Sequence, residues 1–190
     1  MLSRLLLLLG ALFVMTTSNA AQAGEKLILT LSTGGDVVID LKPEIAPKHV
    51  ERITTLAKDG FYDGIVFHRV IKDFMAQTGD PTGTGMGGSD LPDLEAEFND
   101  THHGRGAVSM ARTNDPNTAN SQFFICFKDC GFLNKQYTVW GQVVEGMEYV
   151  DALPVGEPPA EPGKIVTAKV VSDTSMNVDD GAIDSPEAAE

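Results

Sequence analysis

Basic side chains are scarce in this chain: 14 lysines and arginines face 27 aspartates and glutamates, a formal charge of −13. Such a balance offers no electropositive face, which argues against nucleic acid and anionic membrane surfaces as partners. Cysteine is nearly absent. Cys126 and Cys130 cannot build a multi-bridge scaffold, and no second pair of soft ligands exists to complete a metal site. Cys126 lies in the apolar run FFICF, where a buried free thiol is expected, with a local bridge to Cys130 as the alternative. Long apolar runs are also missing, apart from Leu5 to Met15 near the N-terminus. Arg4 precedes that run, and small and polar residues ending Ala21-Gln22-Ala23 follow it. It is short for a spanning helix, so residues 1–23 read as a signal peptide cut after Ala23 rather than as a membrane anchor. No cysteine near the cleavage point could carry a lipid.

At the other end, residues 173–190 hold Asp173, Asp179, Asp180, Asp184, Glu187 and Glu190 among Ser, Gly, Pro and Ala, with no base. They read as an acidic, disordered tail. Residues 24–172 then form one domain. Lys26–Leu31 and Asp36–Leu41 alternate around Ser32-Thr33-Gly34-Gly35 and predict a hairpin. A helix should start near Pro47, repeat Val50, Ile53, Leu56 and Ala57 on one face, and end at Gly60. Further strands are expected at 65–71, 74–78, 106–112, 121–127, 138–144 and 164–172, and a short helix within 145–153. Alternation over 65–71 would put Ile65, Phe67, Arg69 and Ile71 on one face. Many short strands, two helices and no βαβ rhythm point to an antiparallel barrel capped by helices.

Ordinary catalytic sets are absent as well. The glycine-rich stretch GDPTGTGMGGSD lacks the Gly-Lys-Ser/Thr ending of a phosphate loop, and no helical pattern follows it. His102 and His103 are adjacent, so on an extended segment they point apart and cannot share a metal. His68 reads as a core imidazole bonded to backbone, and neither Ser109 nor Ser121 sits on a nucleophile elbow. What stands out is apolar material mixed with a few fixed polar groups: Arg69, Phe74, Met75, Gln77, and later Gln122, Phe124 and Leu133. Met75 and Gln77 would share a strand face, and buried Arg69 and Gln77 would carry many donors to satisfy.

Taken together, VFHRVIKDFMAQTGD, GAVSMAR and NSQFFI resemble the cyclophilin family of peptidyl-prolyl cis–trans isomerases, from about Lys26 to Ser172. The resemblance implies a mainly β fold, a closed eight-stranded antiparallel β-barrel capped by two α-helices. It implies Arg69 as the catalytic arginine, with Phe74, Met75, Phe124 and Leu133 walling a proline pocket. Gln77 would hydrogen-bond substrate backbone, Ala111 and Arg112 would offer their main chain, and Gln122 would help hold the arginine network. Phe132 stands where many members have tryptophan and Tyr137 where they have histidine, as in bacterial exported members. Both keep the wall aromatic, but Phe132 lacks the indole donor, so cyclosporin binding is expected to be weak. The expected protein is a monomeric, exported isomerase, most simply periplasmic, needing no cofactor and acting on proline-containing unfolded or partly folded polypeptides. A catalytically weak Pro-segment-binding chaperone or scaffold on the same fold is the alternative.

Overall fold

A computed structural model describes residues 24–172; the expected signal peptide and acidic tail lie outside the described residues. Strands β1 (Glu25–Leu31) and β2 (Gly35–Leu41) form the expected hairpin, turned by Gly34 at φ +113°. Helix α1 spans Pro47–Lys58, and β3 (Arg69–Ile71), β4 (Met75–Thr78), β5 (Ala107–Met110), β6 (Phe123–Cys126) and β7 (Val139–Glu145) follow. Helix α2 (Met147–Asp151) and β8 (Ile165–Ser172) complete the chain. Helix α2 is shorter than expected because Gly146, at φ +79°, turns the chain against the Asp36 carbonyl before the helix begins.

All eight strands join one sheet in the order β3-β4-β6-β5-β7-β2-β1-β8, with every adjacent pair antiparallel. The sheet curls into a half-barrel and is not the closed barrel the sequence led us to expect. β3 and β8 share no ladder, and the seam between them is tacked by the isolated bridges Val66–Lys164 and Val70–Gly156. The physical reason lies in the segment before β8. Pro154, Pro158, Pro159 and Pro162 remove N–H donors, so no continuous ladder can form there.

The face expected for residues 65–71 is also corrected. Only Arg69–Ile71 is strand, and the alternation slips at His68. Ile65 and Phe67 lie in the main core, but so does Val70, which leaves Arg69 and Ile71 on the opposite side. The main core packs Leu27, Leu29, Ile39, Phe67, Phe123 and Trp140 against Val50, Ile53, Leu56 and Ala57 of α1, as the helical spacing predicts. α1 has no capping side chain of its own at Ala46. Glu97 caps it from a distant loop, accepting from the backbone N–H of Lys48 and His49 and lying 2.6 Å from His49 Nδ1.

Three imidazoles are buried. Loss of hydration holds His49, His68 and His103 below the ordinary histidine range. His68 lacks the backbone bond expected of it: among the described residues, neither of its ring nitrogens has a partner. In the unfolded chain these rings protonate near pH 6.5, so the unfolded state takes up protons first as pH falls. Stability should therefore be full above about pH 6.5 and decline below it. Thermal melts at pH 7.5 and pH 5 are expected to show a lower midpoint at pH 5, with a smaller drop in His68→Leu. Equal midpoints for the native chain would contradict this.

Candidate active site

The strand pleat builds the site on the sheet face away from the main core. On β6, Phe123 and Ile125 enter the core while Phe124 and Cys126 face the other way. On β4, Met75 takes the same outward face, and Gln77, two residues on, shares it. Register then lines up Arg69, Gln77, Phe124 and Ser109 as direct neighbours across four strands. Along this row lies a small cavity of about 130 Å³ bounded by Arg69, Phe74, Met75, Gln77, Ala111, Arg112, Phe124, Leu133 and Tyr137. Its size suits one ring rather than a whole drug-sized ligand. Tyr137 stands edge-on to Phe124 at 5.7 Å between centroids.

Nine of the eleven residues marked in the sequence meet at this cavity. Phe132 stands outside the lining: it is 66% exposed and rests on Phe74 at 5.4 Å, forming a rim. Gln122 lines the adjoining cavity of about 380 Å³, which shares Gln77, Ala111 and Arg112 with the first. The bonds of its side chain run to Gln77 (2.9 Å) and to the Gly85 and Gly87 carbonyls; none of them runs to Arg69. Ala111 is held by its N–H to the Gln122 carbonyl. The Arg112 side chain is tied down, donating to the Thr113 and Gln136 carbonyls and lying 4.4 Å above the Tyr137 ring. Among the described residues, the Arg112 main-chain N–H and C=O have no protein partner.

Arg69 is half-exposed, and its Nε donates to Glu157 Oε2 at 2.7 Å. Behind the wall, Cys126 and Cys130 are both free and buried. His103 stacks on Phe124 and lies 3.0 Å from Asn134 Oδ1 and 3.1 Å from Ser109 Oγ. That trio has the connectivity of a hydrolytic set, but Ser109 and His103 are sealed from solvent and the serine also donates to the Thr138 carbonyl. No nucleophile is presented. Among the described residues no cluster could hold a metal, and no helix is long and apolar enough to cross a membrane.

Two residues escaped the sequence reading. Asp80, 1% exposed, accepts bonds from Thr82, Thr84 and Gly85 and so organises the glycine-rich loop beneath the larger cavity. Burial alone would raise its carboxyl, but the hydrogen bonds from Thr82, Gly87 and Gly85 hold it well below the usual carboxylate range. A carboxylate followed by closely spaced threonines and glycines was the available signal. Glu157 carried no local signal, since it meets Arg69 from 88 residues away.

An antiparallel sheet carrying a ring-sized slot walled by aromatic and aliphatic side chains, with Arg69 and Arg112 on its border and free main chain beside it, has the shape and donors to take a short peptide segment. Residues 27–170 match the family model for cyclophilin type peptidyl-prolyl cis-trans isomerase/CLD. A probable peptidyl-prolyl cis-trans isomerase of Brucella suis is 47% identical over 174 residues, spanning 83% of this chain and 88% of that protein. Peptidyl-prolyl cis-trans isomerase-like 3 of Rattus norvegicus is 47% identical over 68% of this chain and 84% of its own length. A crystal structure of a cyclophilin from Hirschia baltica superimposes with a TM-score of 0.70 at 32% identity, covering 76% of this chain and 73% of that one. A Cryptosporidium parvum cyclophilin type isomerase, determined in the presence of the dipeptide Ala-Pro, gives 0.73 at 30% identity, covering 78% and 99%. The chain belongs to the cyclophilin-type peptidyl-prolyl cis-trans isomerases and is an isomerase.

Proposed function

We propose that this chain rotates X–Pro bonds in exported polypeptides, with Arg69 stabilising the twisted amide. The observation carrying this reading is that Arg69 borders a ring-sized slot walled by Phe74, Met75, Phe124 and Leu133. Amide resonance opposes rotation with a barrier of about 18–20 kcal/mol, so uncatalysed exchange takes tens to hundreds of seconds. No bond breaks and no proton moves. As the amide twists, the prolyl nitrogen recovers a lone pair and can accept a hydrogen bond, which a guanidinium donates without itself titrating. The bond exists only in the twisted state, so it lowers the barrier instead of tightening ground-state binding. Phe74, Met75, Phe124 and Leu133 grip the pyrrolidine ring, while Gln77 and the Arg112 main chain hold the residues beside it, so one side of the bond turns against the other. The Ala-Pro dipeptide used with the Cryptosporidium relative is in keeping with such a ligand.

The apolar segment at residues 5–15 and the small residues up to Ala23 support export, most simply to a periplasm, where slow proline isomers limit folding. Intact-mass measurement of the exported protein should find Gly24 at its N-terminus; a product retaining residues 1–23 would overturn the export reading. Isomerisation is tested by exchange in a proline peptide with the native chain and with Arg69→Ala. A second measurement addresses the rim. Phe132→Trp adds an indole donor, worth roughly 1 kcal/mol as one hydrogen bond, so cyclosporin should bind about five- to tenfold more tightly by calorimetry. Equal affinity would show that the rim does not contact this ligand.

A further inference from the structure

We propose that Glu157 is a positioning residue for Arg69; this rests on the arginine reading above and concerns what aims the guanidinium. The contact follows from register. Val70 N–H donates to the Gly156 carbonyl at 2.8 Å, and Gly156 N–H donates back to Val70 at 2.9 Å. In an antiparallel bridge the residues flanking such a pair stand opposite one another, so Arg69 faces Glu157. The bond that results joins Arg69 Nε to Glu157 Oε2 at 2.7 Å.

That single bond decides which edge of the fork is free. Among the described residues, neither Nη nitrogen of Arg69 has a hydrogen-bond partner. The side chain is 40% exposed, so packing alone does not fix its rotamers, and an unheld arginine loses considerable freedom when it must aim. Engaging Nε from outside leaves the two Nη groups as the donors available to a bound imide. The acid itself is presented by a stiff segment. Pro158 and Pro159 follow it with restricted φ, and a side chain at Gly156 would strike Pro159 Cα. Glu157 is 53% exposed, so the ion pair adds little to stability. Its effect belongs to turnover.

The test is a double-mutant cycle in a proline-peptide exchange assay on the whole exported chain, with thermal melts alongside. Glu157→Ala is expected to lower kcat about tenfold, as loss of aim does, with KM within about twofold. The melting midpoint should stay within a few degrees. Glu157→Gln keeps an acceptor for Nε and should recover much of the loss. In an Arg69→Ala background, Glu157→Ala should have no further effect. An unchanged or raised kcat in Glu157→Ala, or an equal loss in both backgrounds, overturns the positioning role and leaves the arginine mechanism standing. Full activity in Arg69→Ala alone overturns the arginine mechanism, and this inference with it.

Discussion

Arg69→Ala is expected to cut kcat for X–Pro exchange by about two to three orders of magnitude, the usual effect of removing one donor aimed at a transition state. In the proposed binding mode the wall holds the ring, and main chain and Gln77 hold the flanking residues, so KM should change little. The fold should survive. The arginine side chain is 40% exposed and its ion pair with Glu157 lies at the surface, where such pairs contribute about 0–1 kcal/mol. A melt near that of the native chain, with exchange lost in two-dimensional NMR, is the predicted pair of results. Full exchange activity would dismiss the proposed role of the guanidinium.

Asp80→Ala is expected to be the most damaging change outside the main core. Oδ1 accepts from the N–H and hydroxyl of Thr82 at 2.7 and 2.8 Å, and Oδ2 from the N–H of Thr84 and Gly85 at 3.0 and 2.6 Å. Alanine removes the charge on which four hydrogen bonds converge and leaves partly buried loop donors without their acceptor, at a cost of roughly 3 kcal/mol. A domain of this size should then melt about 10 °C lower. The same change frees the Gly85 and Gly87 carbonyls that hold Gln122, so affinity for a longer peptide should fall more than affinity for a short one. Because the folded carboxyl is held below its ordinary value, its contribution is in place above about pH 4 and is lost only as pH falls further. A melt unchanged in Asp80→Ala would show that the loop does not depend on this anchor.

The wall of the site was readable because period-two alternation places Met75 with Gln77 whatever the rest of the sheet does. The helix was readable for a similar local reason, the spacing of Val50, Ile53, Leu56 and Ala57. Three features were not. Slippage at His68 is a matter of bridging to residues 163–165, so continuous alternation put Phe67 and Arg69 together although they face opposite ways. Barrel closure was assumed from the family likeness, whereas the prolines of 154–162 leave the seam as isolated bridges. Glu97 capping α1 and Glu157 facing Arg69 both join distant segments, and no window of sequence contains either pair.

Strand β6 presents apolar side chains to both sides: Phe123 and Ile125 inward, Phe124 and Cys126 outward. One layer of backbone is therefore all that separates the main core from the cavity proposed to take the proline ring. Volume changes on one side of such a partition will register on the other, leaving the wall poor ground for retuning which clients are accepted.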